Sequence, residues 1–266
     1  MNRVWIQGAG EMASGVAVRL VREGHEVILA ERGNPLAVRR LVCFSEAVVR
    51  GHARVEEVPG RLGTLPRVFR VAGAVTVVVD PGGTLIPLAR PDVVVDARLT
   101  KVEPRALPLG DIPLIGLGPG FVCGRNASLV IETHRPAGPG RVIHEGRAAP
   151  DTGRPGDVGG HTVSRVVRAP VAGRFVPLVA IGDLVRAGQV LGHVGGQEVS
   201  SRLDGMVRGL VHSRTELSPG EKVGDVDPRG REVDPRKISD KALAIGGGVL
   251  AAMDTLSGRR ETNRTS

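Results

Sequence analysis

The N-terminal run constrains this chain most. Residues 3–31 read RVWIQ, GAGEMASG, VAVRLVREG and HEVILAE, which is an apolar run, a glycine turn, a segment with Val16, Leu20 and Val21 on one helical face, and a second apolar run. Strand, turn, helix, strand is therefore expected, with Gly24 as the helix stop. Gly8, Gly10 and Ala13 match the G-x-G-x-x-G/A loop of dinucleotide-binding folds, with Glu11 and Met12 inside it. Gly8 permits the tight turn, Gly10 lets a pyrophosphate approach the backbone, and Ala13 allows close helix packing. Glu31 ends the second strand 21 residues beyond Gly10, where an acid holds a ribose hydroxyl. The other reading of the same glycines is a tight turn alone, in a domain that has kept the fold without the ligand.

Four more Val/Ile/Leu runs, near 75–80, 92–98, 112–117 and 128–133, predict strands buried on both faces. The first half, residues 1–135, is thus expected to be a Rossmann-like nucleotide-binding domain with a parallel or mixed sheet. Asn34-Pro35 predicts a helix from Leu36 to about Val42. Gly116-Leu117-Gly118-Pro119-Gly120 reads either as a second backbone cradle for an anion or as a strained turn. Asp80 and Asp96 close strands and are weak catalytic candidates beside a turn or cap role. Cys123, after the GLGPGF loop, is a third such candidate if a helix N-terminus lowers its pKa; for it and for Cys43 the other reading is a small buried hydrophobe.

Residues 136–160 are rich in Gly and Pro and predict an irregular connecting segment. An internal repeat follows at an offset of 32, placing Gly173 on Gly205, Val185 on Leu217, Gly188 on Gly220 and Gly192 on Gly224. Each copy reads as short strands punctuated by Gly turns, so residues 161–230 resemble a biotinyl/lipoyl-like barrel-sandwich domain. The stretch between the copies, VGGQEVSSRLDG, contains no lysine, and covalent lipoate or biotin is therefore not expected. VGDVDPRGREVDPR reads as an acidic turn region. Residues 231–256 hold a C-terminal segment and a helix capped near Ser239 or Asp240, in which Gly246, Gly247 and Gly248 imply close packing. Residues 257–266 read as a disordered tail.

Composition narrows the classes further. The net charge of +8 is shared evenly between the halves of the 266 residues, and there are no Tyr, one Trp and four Phe, so nucleic-acid binding is not expected. No run approaches a membrane span, no signal peptide is apparent, and two cysteines suit a cytoplasmic setting without a cysteine-built metal site. The sequence leaves homo-oligomer formation open.

Six motifs in order, GAGEMASGVAVRL, RRLVCFSEAVVRG, GLGPGF, VIET, KVGDVDPR and ISDKALAIGGGVL, resemble the YqeB-like selenium-dependent molybdenum hydroxylase system proteins over about Val4 to Ala251. The resemblance implies a bacterial cytoplasmic accessory protein that matures a molybdenum hydroxylase client, acting on its cofactor or its labile selenium. One departure is visible: the family continues after VIET with an Arg-Gly-His pattern, where this chain has Thr133-His134-Arg135-Pro136. The ligand then expected is an NAD-like nucleotide or a molybdopterin nucleotide at Gly8, Gly10, Glu11, Met12, Ala13, Glu31, Gly116, Gly118 and Gly120. Alternatives are an NAD-linked oxidoreductase and a non-catalytic interaction scaffold.

Overall fold

A computed structural model of the chain describes residues 1–64 and 73–262. The first half builds β1 (Arg3–Gln7), α1 (Glu11–Arg22), β2 (Glu26–Glu31), α2 (Glu46–Arg50), β3 (His52–Val55), β4 (Val58–Leu62), β5 (Val75–Val79), α3 (Ile86–Ala89), β6 (Val93–Asp96), β7 (Leu114–Leu117), β8 (Val122–Cys123) and β9 (Leu129–Ile131). With β10 (Val142–Ile143) they form one nine-stranded sheet in the order β10-β9-β7-β6-β1-β2-β5-β4-β3, only β8 standing outside it. The interior pairs are parallel, and β3 and β10 close the two edges antiparallel. β1 is central, and the order turns back on its β6 side.

Alternation along each strand sorts the core into two layers. Val4, Ile6, Val27, Leu29, Val93, Val95, Ile115 and Ile131 face α1 and the C-terminal helix α4 (Asp240–Thr262). Trp5, Ile28, Val78, Val94, Leu114 and Val130 face the other way, under α3 and the loops that carry Leu85, Leu107 and Ile112. α1 is covered on one side by the sheet and on another by α4, which also touches β9 and β10, and so Ala13, Val16, Ala17, Val18 and Leu20 are all buried.

Four segments differ from expectation, the fourth of them in the second half. Residues 36–42 are not an α-helix: they run as a strap with one 3-10 turn, Arg40–Val42. Leu36 and Val38 bury against the second unit, and Asn34 Nδ2 donates to the Glu216 carbonyl rather than capping a helix. Packing of Leu36 and Val38, both partly buried, against that unit overrides the capping signal here. The Gly/Pro-rich stretch is not wholly irregular, since β10 extends the main sheet and β11 (Gly146–Arg147) pairs with β8. α4 continues to Thr262, so residues 257–262 are helical rather than a disordered tail. Gly258 weakens the helix there without ending it, and Ser257 Oγ donates back to the Met253 carbonyl. The end of the expected tail, 263–266, lies outside the described residues.

The second half builds β12 (Val166–Arg168), β13 (Gly173–Pro177), β14 (Leu184–Val185), β15 (Val190–Val194), β16 (Gln197–Ser200), β17 (Gly205–Leu210), β18 (Glu216–Leu217) and β19 (Lys222–Asp227). They form two antiparallel sheets, β12-β19-β17-β14 and β16-β15-β13-β18. Exchanging β12 with β16, β13 with β17, β14 with β18 and β15 with β19 turns one order into the other, so the 32-residue repeat is a structural two-fold. Its glycines sit where chains nearly touch: a Cβ on Gly205 would lie 2.3 Å from the Asp227 carbonyl oxygen, and one on Gly173 2.8 Å from Gly195 Cα. VGDVD, read as a turn, is instead the last strand, with Val223, Val226, Asp225 and Asp227 all buried.

Candidate functional site

The strap lays the sandwich against the carboxyl edge of the parallel strands. Thr215 Oγ1 donates to the Pro35 carbonyl, Arg40 Nε donates to that of Leu210, and Gly209 leaves room for the Val38 carbonyl. Between the two units opens a cleft of about 770 Å³. Its floor holds Gly10, Glu11 and Met12 after β1, Pro119 after β7, and Thr133, His134 and Arg135 after β9. Carboxyl ends of parallel strands are where open α/β sheets bind ligands.

GAGEMASG shapes one wall. Gly8, at φ +109°, has no room for a side chain, because a Cβ would lie 3.2 Å from the Ala97 carbonyl oxygen. Gly10 differs: it caps α1, and a Cβ there meets nothing within 4 Å. The first-turn N–H groups of α1 lack helical acceptors and add positive potential there. α4 contributes as well. Gly15 faces Ala242 and Arg19 faces Gly246, so the helices run the same way, and Ser239 and Lys241 at the start of α4 reach the same cleft. Ser239 Oγ caps α4 by accepting the Ala242 N–H.

Cations dominate the lining: Arg39, Arg135, Arg154, Arg165, Arg208, Lys222 and Lys241, against Glu11, Asp151, Asp157 and Asp225. Arg39, 5% exposed, donates to Glu11 Oε1 at 3.1 Å and to the Lys237 carbonyl at 3.0 Å. Arg165 pairs with Asp225, Arg208 lies 3.4 Å from Asp227, and Arg135 makes a two-pronged pair with Asp240 at 2.7 and 2.8 Å. That pair holds the Asp240 carboxyl down at about 2. Burial pushes the Arg208 guanidinium and the Lys222 and Lys241 ammonium groups below their ordinary values. Arg39, Arg165 and Arg135 respectively push them the same way. Positive groups crowded out of water favour an anion between them.

Of the residues expected at the site, Gly10, Glu11 and Met12 line the cleft, and Gly8 and Ala13 support them from behind. Glu31 does not line it. Its carboxylate accepts the Ala9 and Arg32 backbone N–H groups, and burial raises its pKa. The GLGPGF glycines sit against protein atoms: a Cβ on Gly116 would strike Phe121, one on Gly118 would lie 3.0 Å from Thr133 Oγ1, and one on Gly120 2.5 Å from Thr100 Oγ1. Only Pro119 of that loop reaches the cleft. Asp80 caps the 84–85 turn through the Thr84 and Leu85 N–H groups, and Asp96 binds Arg98. Cys123 lies on β8, with no helix after it, and its thiol donates to the His144 and Ser128 carbonyls at 2.9 and 3.2 Å. Cys43 does line the cleft, but burial drives its thiol pKa well up and it donates to the Arg39 carbonyl. Sequence reasoning missed Arg39, Arg208, Lys222 and Lys241, and also Glu132. The last is fully buried and accepts the Thr133, His134 and Ala149 N–H groups, shaping the cleft wall.

Among the described residues no group of three or more His, Cys, Asp or Glu side chains is arranged to hold a metal ion, and no helix is long and apolar enough to cross a membrane. The class so defined is a mixed α/β chain: a large parallel and antiparallel sheet, two smaller antiparallel sheets, a C-terminal helix and a cation-lined cleft. The chain is 44% identical over 253 residues to the uncharacterized protein YqeB of Escherichia coli K12, a match that takes in 94% of this chain and 47% of that protein. It thus spans about half the length of this curated relative, and the similarity supports a YqeB-like family. No family model matches the chain. A solved succinylglutamate desuccinylase/aspartoacylase from Rhodobacter sphaeroides is 28% identical over 24% of this chain and 22% of its own, with a TM-score of 0.22, too slight a likeness to carry an argument.

Proposed function

We propose that this chain is an accessory protein in the maturation of a selenium-dependent molybdenum hydroxylase, and that the cleft binds the phosphate-bearing part of a nucleotide or molybdopterin-type cofactor. The observation that carries this reading is Gly10: unobstructed at the start of α1, it opens onto a cleft in which Arg39, Arg208, Lys222 and Lys241 meet. The run β5-β2-β1-β6-β7-β9 follows the doubly wound order 3-2-1-4-5-6, which supports a Rossmann-like reading of the first unit. The repeat-exchanged sheets support a lipoyl-like sandwich that acts as a docking scaffold. Its β15–β16 hairpin turns through Gly195 and Gly196 and offers no lysine to carry a prosthetic group. Similarity to YqeB supports the family and says nothing of its chemistry.

Deleting the gene in its native host tests the maturation role. The hydroxylase polypeptide is expected to accumulate without activity, lacking its terminal sulfur or selenium ligand, and to recover on complementation with the wild-type gene. Fully active hydroxylase from the deletion strain would end the proposal.

A further inference from the structure

The cations of the cleft stand on two walls that belong to different units. Arg39, Arg135 and Lys241 come from the strap, the exit of β9 and the start of α4, whereas Arg165, Arg208 and Lys222 come from the sandwich. Both walls keep donors without acceptors. On the first, the Lys241 ammonium makes no ion pair or hydrogen bond among the described residues, and the buried Arg39 Nε has no partner. On the second, the buried Arg208 Nε has none. Two buried carboxylates of the VGDVD strand fix this second wall: Asp225 holds Arg165, with the Lys222 ammonium 3.8 Å away, and Asp227 holds Arg208 and Arg229. A guanidinium anchored from behind by a buried carboxylate presents its remaining N–H edge in a set direction, which suits an oxyanion.

We propose that the sandwich supplies half of the binding site, and that the cleft takes a ligand with two linked phosphates. One phosphate meets Lys241, Arg39 and the first turn of α1, and the other meets Arg208 and Lys222. This rests on the cofactor reading of the cleft and narrows it to a diphosphate that bridges the two units. A lone phosphate monoester, with a charge of about −1.5 to −2 and a single cluster of oxygens, meets the donors of one wall and leaves those of the other unmet. A diphosphate offers acceptors at both ends. It also gives the VGDVD motif a task, the positioning of the sandwich cations.

Calorimetric titration of the full chain with inorganic pyrophosphate and with orthophosphate, at low ionic strength, tests this. The wild type is expected to bind pyrophosphate about tenfold tighter than orthophosphate, with Lys241→Ala and Arg208→Ala each removing that preference. Arg208→Lys keeps the charge but replaces the planar guanidinium edge with a point charge, and, where a melt shows it folded, is expected to weaken pyrophosphate binding several-fold. Equal binding of the two anions by the wild type would overturn the proposal, as would pyrophosphate binding that is lost in Lys241→Ala but unchanged in both Arg208 variants. The cofactor reading fails separately. If NAD and molybdopterin nucleotides bind and the Arg208 variants leave their affinity unchanged, the two-wall site falls and the cofactor reading stands. If Arg208-dependent pyrophosphate binding occurs without binding of any nucleotide, the reverse holds.

Discussion

Glu132 is fully buried, yet it lies in an apolar strand run whose sequence gives no sign of a buried carboxylate. It accepts three backbone N–H groups from segments 15 residues apart along the chain, and in doing so ties the exit of β9 to the 149–152 wall of the cleft. An amide at this position accepts through one atom only and turns its NH₂ toward a donor. Glu132→Gln is therefore expected to cost about 1.5–3 kcal/mol, the range for hydrogen bonds to a charged acceptor, measured as a lower midpoint in urea with an unchanged slope. A midpoint equal to wild type would remove Glu132 from the account of the cleft wall. Gly8 and Gly10 were legible in the sequence because a single local loop asks for both. Arg39, Arg208 and Lys241 were not, since some 200 residues of chain separate them and only the docking of the sandwich brings them into one space.

Among the elements, strands were the more legible. Continuous Val and Ile runs announce β1, β2, β5, β6, β7 and β9 because both faces of each are covered. The β3–β4 hairpin gave no such sign: its two-residue loop is Glu56-Glu57, with Glu56 itself at φ +52°, and neither Gly nor Asn marks the turn. Two close approaches explain two of the glycines in the Gly246-Gly247-Gly248 run, α1 against Gly246 and the Gly140 turn against Gly248. A Cβ on Gly248 would lie 2.1 Å from the Gly140 carbonyl oxygen, one on Gly246 would lie 3.1 Å from Gly15 O, and one on Gly247 would meet nothing. Opposite effects from adjacent glycines are expected. Gly247→Ala should stabilise by about 0.5–1 kcal/mol through helix propensity, while Gly248→Ala should destabilise by about 1–3 kcal/mol through backbone collision. Thermal melts of the two variants decide it, and a common sign for both would mean that α4 does not sit on the 138–140 turn as described.

At the scale of the whole molecule, the repeat at an offset of 32 made the two-sheet unit legible, while its placement over the sheet was not. The strap that places it looks, in sequence, like a capped helix. Docking turns two unremarkable surfaces into a positively charged cleft at the carboxyl edge of the sheet, and the account depends on that cleft binding an anionic cofactor. Gly10 offers the cleanest probe, because a Cβ there meets no atom within 4 Å outside its own helix turn, whereas Gly118→Val would collide with Thr133 and confuse folding with binding. The decisive measurement is calorimetric titration of wild type and Gly10→Val with molybdopterin nucleotide and with NAD, alongside melts that show both proteins folded. At a ligand concentration about 100 times its dissociation constant, the wild type should also gain about 2.7 kcal/mol of stability. Binding by the wild type that is lost in an equally stable Gly10→Val is the predicted result; identical binding by the two proteins, or none by either, would contradict the claim that this cleft holds the cofactor.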